Sequence, residues 1–292
     1  MLTRGSCTPS SRALSTLVTA LCLITCGAAV QSPDQLDEVL ERVSQRVQDY
    51  YERAQSIMCQ ETVRWQPVRS DLTPEGFGRS LEYDLRVSWD SAGEDGTAPE
   101  AVVLRELRKV NGRPARPKDE PGCYEPREVS PEPLAMLLPR HRNEYAFRWA
   151  GLGKVKDRPA IMIDYKDLTT GPIEATWKGD CASFSLPGRT KGRVWIDRVT
   201  HEVLRLDESL TSGFEYRLPP EHWGLGRIQT WVFERVDSSI RYRPVLFHDP
   251  EETVLLPESI ESIQITRGAQ GVHKTQVYSQ YRRFLTSGRI VK

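Results

Sequence analysis

Between Leu81 and Trp89, apolar and polar residues alternate without a break. Leu81, Tyr83, Leu85, Val87 and Trp89 are separated by Glu82, Asp84, Arg86 and Ser88. Side chains of a β-strand point to opposite faces in turn, so this pattern sends one face to a core and the other to water. A helix made of the same residues would scatter its apolar positions around the axis. Strand-like segments start near Ile57 and continue over Ala101–Val110, Tyr145–Leu152, Ala160–Lys166, Arg193–Asp197 and Glu202–Asp207. They end with Ile228–Val236, Ile240–Phe247, Ile260–Arg267 and His273–Phe284. Turn signals separate them: Asn111-Gly112, Lys156-Asp157-Arg158, Arg198–His201 and Gly268–Gly271. Strands at such short, regular intervals predict an antiparallel meander.

One segment before the strands has a different period. Leu36, Val39, Leu40, Val43, Val47, Tyr50, Tyr51 and Ala54 fall on one face of a helix. Ser32 is a suitable N-cap, Pro33 fits the first helical position, and Gln35 completes a capping box. The predicted organisation is an N-terminal amphipathic helix over 30–58 and an antiparallel β domain over 57–292. A short helix is expected near 131–138, after the Pro- and charge-rich stretch 113–133.

The start of the chain constrains location. Arg4 and Arg12 flank a region without acids, an apolar stretch runs from Ala13 to about Ile24, and Gly27-Ala28-Ala29 follows. This is the pattern of a secretory signal peptide at 1–29, cleaved near Ala29. Two alternatives stay open: lipidation of Cys26 in a partial lipobox, and an uncleaved signal anchor. The apolar stretch is short for a spanning helix, and no later segment approaches spanning length. The protein is therefore expected to be extracytoplasmic, periplasmic or secreted, and lipid-anchored if Cys26 is modified. The leader carries two arginines and no acid, which leaves 38 basic and 40 acidic residues. That balance gives no basic excess to draw the protein onto nucleic acid. Of six cysteines, Cys59, Cys123 and Cys181 lie beyond the signal. An oxidising compartment predicts that two of the three pair, without saying which.

No motif for catalysis, a cofactor or a metal is found. The five histidines have no metal-ligand spacing. The segment His248-Asp249-Pro250-Glu251-Glu252 gathers a histidine and carboxylates but reads as an acidic loop. Ser183 and Ser185 lack the sharp elbow of a serine nucleophile. Asp197 reads as a turn residue that bonds local backbone. The seven tryptophans suit a core, or the lining of an apolar cavity.

Gly192-Arg193-Val194-Trp195-Ile196-Asp197, then Thr200, then Val203-Leu204-Arg205-Leu206 form a strand–turn–strand unit. Arg158-Pro159-Ala160-Ile161-Met162-Ile163-Asp164-Tyr165 precedes it. Together with the first helix, these segments resemble the periplasmic outer-membrane lipoprotein-carrier (LolA/LolB-like) superfamily over roughly 145–285. They also resemble exported bacterial proteins that share this second half. The resemblance implies a mainly β fold with an N-terminal helix (α+β): a curved antiparallel sheet or incomplete β-barrel, with helices closing the concave side. It also implies a binding or carrier protein for an apolar ligand, such as a lipid or lipoprotein acyl chain. The alternative is a non-enzymatic envelope interaction or scaffold module. An open apolar groove would favour the first, and a filled interior the second.

Overall fold

A computed structural model of the chain describes residues 33–54, 56–89, 101–119, 132–179, 181–222, 229–248 and 251–283. The signal segment, Cys26 and Cys123 lie outside these residues. The chain opens with α1 (Pro33–Arg53) and continues through β1 (Ile57–Val68), β2 (Arg79–Trp89), β3 (Ala101–Val110) and the two-residue β4 (Arg113–Pro114). A one-turn α2 (Glu132–Ala135) leads to β5 (Tyr145–Val155) and β6 (Arg158–Asp167). Then come β7 (Glu174–Lys178), β8 (Cys181–Ser185), β9 (Thr190–Asp197), β10 (Val203–Leu210) and β11 (Phe214–Arg217). The chain closes with β12 (Thr230–His248), β13 (Glu251–Arg267) and β14 (Gly271–Arg283).

Twelve strands make one sheet in the order β4-β3-β2-β1-β14-β13-β12-β10-β9-β6-β5, with β11 beside β12, while β7 and β8 pair as a separate ribbon. Among the described residues every strand pairing is antiparallel. The order is that of a meander whose first and last strands have met, since β1 pairs with β14 over most of its length. β4 and β5 stand at opposite ends of this linear order and are left as two edges. These are joined through the Pro- and charge-rich stretch and α2 rather than by a hairpin, so consecutive strands do not pair there. The sheet is therefore open, and the expected incomplete β-barrel is corrected.

Locally, the elements form for reasons visible in the sequence. Asn111 and Gly112 both take positive φ, 49° and 78°, the requirement of a tight hairpin turn. The Asn111 side-chain oxygen accepts the Ser80 N–H at 2.8 Å, tying that turn to β2. On β2 the alternation is realised: Leu81, Tyr83 and Leu85 are buried at 0%, 1% and 2% exposure, with Arg86 outward. Asp197 accepts the N–H groups of Val199 at 2.8 Å and Thr200 at 2.9 Å, holding the β9–β10 turn.

α1 lies on one face of the sheet. Val39, Leu40, Val43, Val47 and Tyr51 pack with Ile161, Ile163, Val194, Ile196, Leu204, Leu206, Ile240 and Tyr242. Leu134, Met136, Leu137 and Leu138, in and after α2, join the same core. Burying each such aliphatic side chain is worth about 1.5–3 kcal/mol. A second part of this face holds Cys59, Leu85, Val87 and Tyr278.

β12 differs from the sequence reading. Where the residues suggest two segments, Ile228–Val236 and Ile240–Phe247, one strand runs unbroken from Thr230 to His248, and Ile228 lies outside the described residues. Asp237, Ser238 and Ser239 look like a break, yet each sits in register between β10 and β13. Their backbone groups are paired on both sides, so their low strand preference is overridden.

Candidate functional site

The sheet has one filled face and one open face. Under α1, two cavities remain. One, of about 50 Å³, lies beside Val47, Tyr50 and Tyr242. The other, of about 30 Å³, lies beside Tyr50, Cys59 and Tyr281. The open face carries a groove of about 930 Å³ across β5, β6, β9, β10, β12 and β13.

Strand register builds the groove row by row. Arg148, Asp164, Arg193, Asp207, Ser239 and Glu261 oppose one another in turn across these six strands. The flanking row on one side runs Met162, Trp195, Arg205 and Arg241. On the other side it runs Ala146, Lys166, Lys191, Ser209, Asp237 and Ile263. Alternate residues of the same strands, such as Ile163, Val194 and Leu206, are the buried ones that meet α1.

The carboxylates of this surface are engaged by basic groups. Asp164 accepts from Arg193 at 2.6 Å and from Arg148 at 2.7 Å. The hydrogen bond from Arg193, helped by the charges of both arginines, holds the Asp164 carboxyl below its ordinary value of 3.8 against the opposing effect of burial. The same hydrogen bond raises Arg193. Asp207 accepts from Arg205 at 2.8 Å, Asp237 from Arg235, and Glu261 pairs with His273 at 2.9 Å. Trp195 lies between two guanidinium groups, with Arg205 at 4.7 Å and Arg193 at 5.8 Å from its ring centre. Such contacts fix the arginines over the ring as well as adding attraction. Lys166, Lys191, Arg64 and Arg241 share this face and, among the described residues, have no carboxylate partner.

Gly192 shapes the strand behind the groove. It pairs with Tyr165 on β6 and Glu208 on β10, and the Tyr165 hydroxyl donates to Glu208 at 3.0 Å across it. A Cβ at Gly192 would stand 2.0 Å from the Asp207 carbonyl oxygen and 2.6 Å from the Tyr165 hydroxyl. Burial, and then the charge of Glu208, push the Tyr165 hydroxyl up.

The residues singled out in the sequence are not gathered here. Cys59 is a free thiol buried under the other face, so the expected disulfide is corrected to exclude it. Burial, followed by the charge of Glu61, pushes this thiol up to about 12. A bridge from Cys59 would need a second cysteine on that packed surface, and its neighbours there are Leu85, Val87 and Tyr278. Cys181, in β8, is not a free thiol. His248 and Glu251 oppose each other at the ends of β12 and β13, while Glu252 is held by Arg53 at 3.2 Å and by Arg283. Ser183 and Ser185 lie in the β7–β8 ribbon. Among the described residues, no three His, Cys, Asp or Glu side chains cluster for a metal. The groove residues Lys166, Lys191, Arg193 and Arg205 were not among the candidate site residues of the sequence, where Arg193 and Arg205 appear only as part of a hairpin. The available signal was the polar half of each alternation, which reads as an ordinary wetted surface until the register is known.

No protein-family model and no curated protein matches the chain. Among solved structures, it is distantly similar to a LolA superfamily protein from Nitrosomonas europaea. The identity is 8%, the match covers 84% of this chain and 93% of that one, and the TM-score is 0.37. A DUF1329 family protein from Desulfovibrio piger is similar at 9% identity, over 86% and 94% of the two chains, with a TM-score of 0.44. The MucA/MucB complex of Pseudomonas aeruginosa is similar at 12% identity, over 84% and 99%, with a TM-score of 0.21. These likenesses are broad in coverage and low in identity, and no function passes from them to this chain.

Proposed function

We propose that the chain is an exported binding protein without catalytic activity, and that it receives a negatively charged ligand on the open face of its sheet. One observation carries this reading: the apolar face is filled, and the large groove lies on the charged face. Pockets that enclose small molecules measure about 300–1,000 Å³. The cavities of about 50 and 30 Å³ under α1 would have to displace core side chains to admit an acyl chain. The groove on the other face, about 930 Å³, is of the right size. Of its acids, Asp164, Asp207, Asp237 and Glu261 are paired with arginine or histidine and Glu208 accepts from the Tyr165 hydroxyl, while Lys166 and Lys191 have no such partner among the described residues. The residual charge is positive, and complementarity favours an anion. The same pairing supports a non-catalytic role, because it commits four of the five groove carboxylates to arginine or histidine and the fifth, Glu208, to a buried hydroxyl. Export is supported by the pattern of the first 29 residues. Among the described residues, no helix is long and apolar enough to cross a membrane.

The test has two parts. Native mass spectrometry of protein isolated from the cell envelope should show no bound lipid. The protein should also be retained, in a salt-dependent way, on dextran sulfate but not on dextran. A co-purifying lipid would refute this reading, as would unchanged retention of the Lys166→Glu/Lys191→Glu double variant.

A further inference from the structure

Lys166 on β6 and Lys191 on β9 are direct partners in the strand pair. Both are exposed, and among the described residues neither is offset by a carboxylate. Side chains so placed have Cβ atoms about 4.5–5.5 Å apart, and like charges there repel. The pair is therefore kept at a cost to the sheet that a bound anion would offset. The next residue along the row is Ser209, directly opposite Lys191. The arginines around this spot are committed: Arg193 and Arg148 to Asp164, Arg205 to Asp207, and Arg235 to Asp237.

That division of labour selects among anions. The planar guanidinium is the group that grips a carboxylate through two parallel hydrogen bonds, and here those groups hold the protein's own carboxylates. What remains is a pair of compact point charges with rotatable donors, plus a hydroxyl. A phosphate dianion matches this set: it spreads two charges over several acceptor oxygens and can take a donor from each lysine and from Ser209. We infer that Lys166, Lys191 and Ser209 form a subsite for the phosphate group of a soluble phosphorylated ligand. The inference rests on the open face being the binding surface and adds the chemistry of the anion. A bilayer headgroup is the poorer source, because the groove's apolar side chains are Ala146, Ile263, Phe147 and Trp195, of which Phe147 and Trp195 pack against the core and the Trp195 ring is covered by arginines, leaving little to insert among lipids.

The full-length exported protein would be titrated by calorimetry with glucose 1-phosphate, with glucuronate as a carboxylate of similar size, and with phosphatidylglycerol vesicles, all at equal ionic strength. Glucose 1-phosphate should bind at least tenfold more tightly than glucuronate. The Lys166→Gln/Lys191→Gln variant should lose that preference, and Arg64→Gln should keep it. Equal affinity for the two anions overturns the subsite, as does a double variant that binds like the parent, and binding seen only with vesicles overturns the soluble source. Retention on dextran sulfate without phosphate preference would remove this inference and leave the open-face reading intact.

Discussion

Glu61 is the most deeply buried acid among the described residues, and its removal gives the sharpest test of how the sheet is held together. It points from β1 to the face that carries the core, with a side chain 0% exposed, and pairs with Arg105 of β3, whose side chain is 5% exposed. Its Oε2 accepts from Arg105 Nε at 2.8 Å. Its Oε1 accepts from the Gln276 amide at 2.9 Å and from the Tyr278 hydroxyl at 3.1 Å. The carboxylate thus links β1, β3 and β14. Glu61→Gln keeps the shape and an acceptor for Gln276 and Tyr278, but takes the charge away from Arg105. A lost charge-assisted hydrogen bond costs about 1.5–3 kcal/mol. The guanidinium left in the interior without its carboxylate brings the total to about 3–5 kcal/mol. Arg105→Met strands the carboxylate instead and should fall near the lower end, because two donors to Glu61 survive. The double variant Glu61→Gln/Arg105→Met has no buried charge left to strand and should lose less than the two singles together, by at least about 2 kcal/mol. Urea unfolding followed by tryptophan fluorescence, extrapolated to water, measures all three. Single losses under about 1 kcal/mol, or losses that simply add, would refute the reasoning.

Further outcomes follow from other sites. Gly192→Ala should cost at least about 1–3 kcal/mol by overpacking, since the nearest atom is a backbone carbonyl that cannot swing aside; thermal melts would show it, and an unchanged melt would contradict the contact. Burial pushes Glu208 above its ordinary 4.5 despite the hydrogen bond from Tyr165, and the charge of Asp167 adds to the rise. The folded state thus binds that proton more tightly than the unfolded state, so its stabilising effect is full below pH 4.5 and is lost as pH rises through the raised value. Glu208→Gln should accordingly gain stability relative to the parent between about pH 4 and pH 8, and an equal difference at both ends would count against it. Cys59, raised and buried, should resist a thiol reagent at pH 8 in the native protein and react on unfolding; prompt native reaction would be evidence for an opened α1 face.

Some of this was legible in the residues alone. The helix over Pro33–Arg53 follows from its apolar face, and the turn at Asn111-Gly112 from the need for positive φ. The alternation of Leu81 to Trp89 settles which side chains go inward, because the period of a strand is fixed by its geometry. Asp197 as a turn residue was readable from its place beside Arg198–His201. These are local matters, decided within a few residues by backbone stereochemistry and by the sorting of apolar from charged side chains.

The rest depended on which strand came to lie beside which. No local signal reports that β1 meets β14, or that the meander stops at β4 and β5 and leaves the sheet open. Polar Asp237-Ser238-Ser239 could be read as a break until β10 and β13 supplied partners on both sides. The freedom of Cys59 depends on what packs over it, and its neighbours come from β2 and β14. The candidate site is the clearest case: Lys166 and Lys191 become neighbours only because β9 returns to β6 past the β7–β8 ribbon. The sequence determined that a charged face would exist. Register, a long-range property set by packing of the whole sheet, decided which of its charges would cancel and which two lysines would be left side by side.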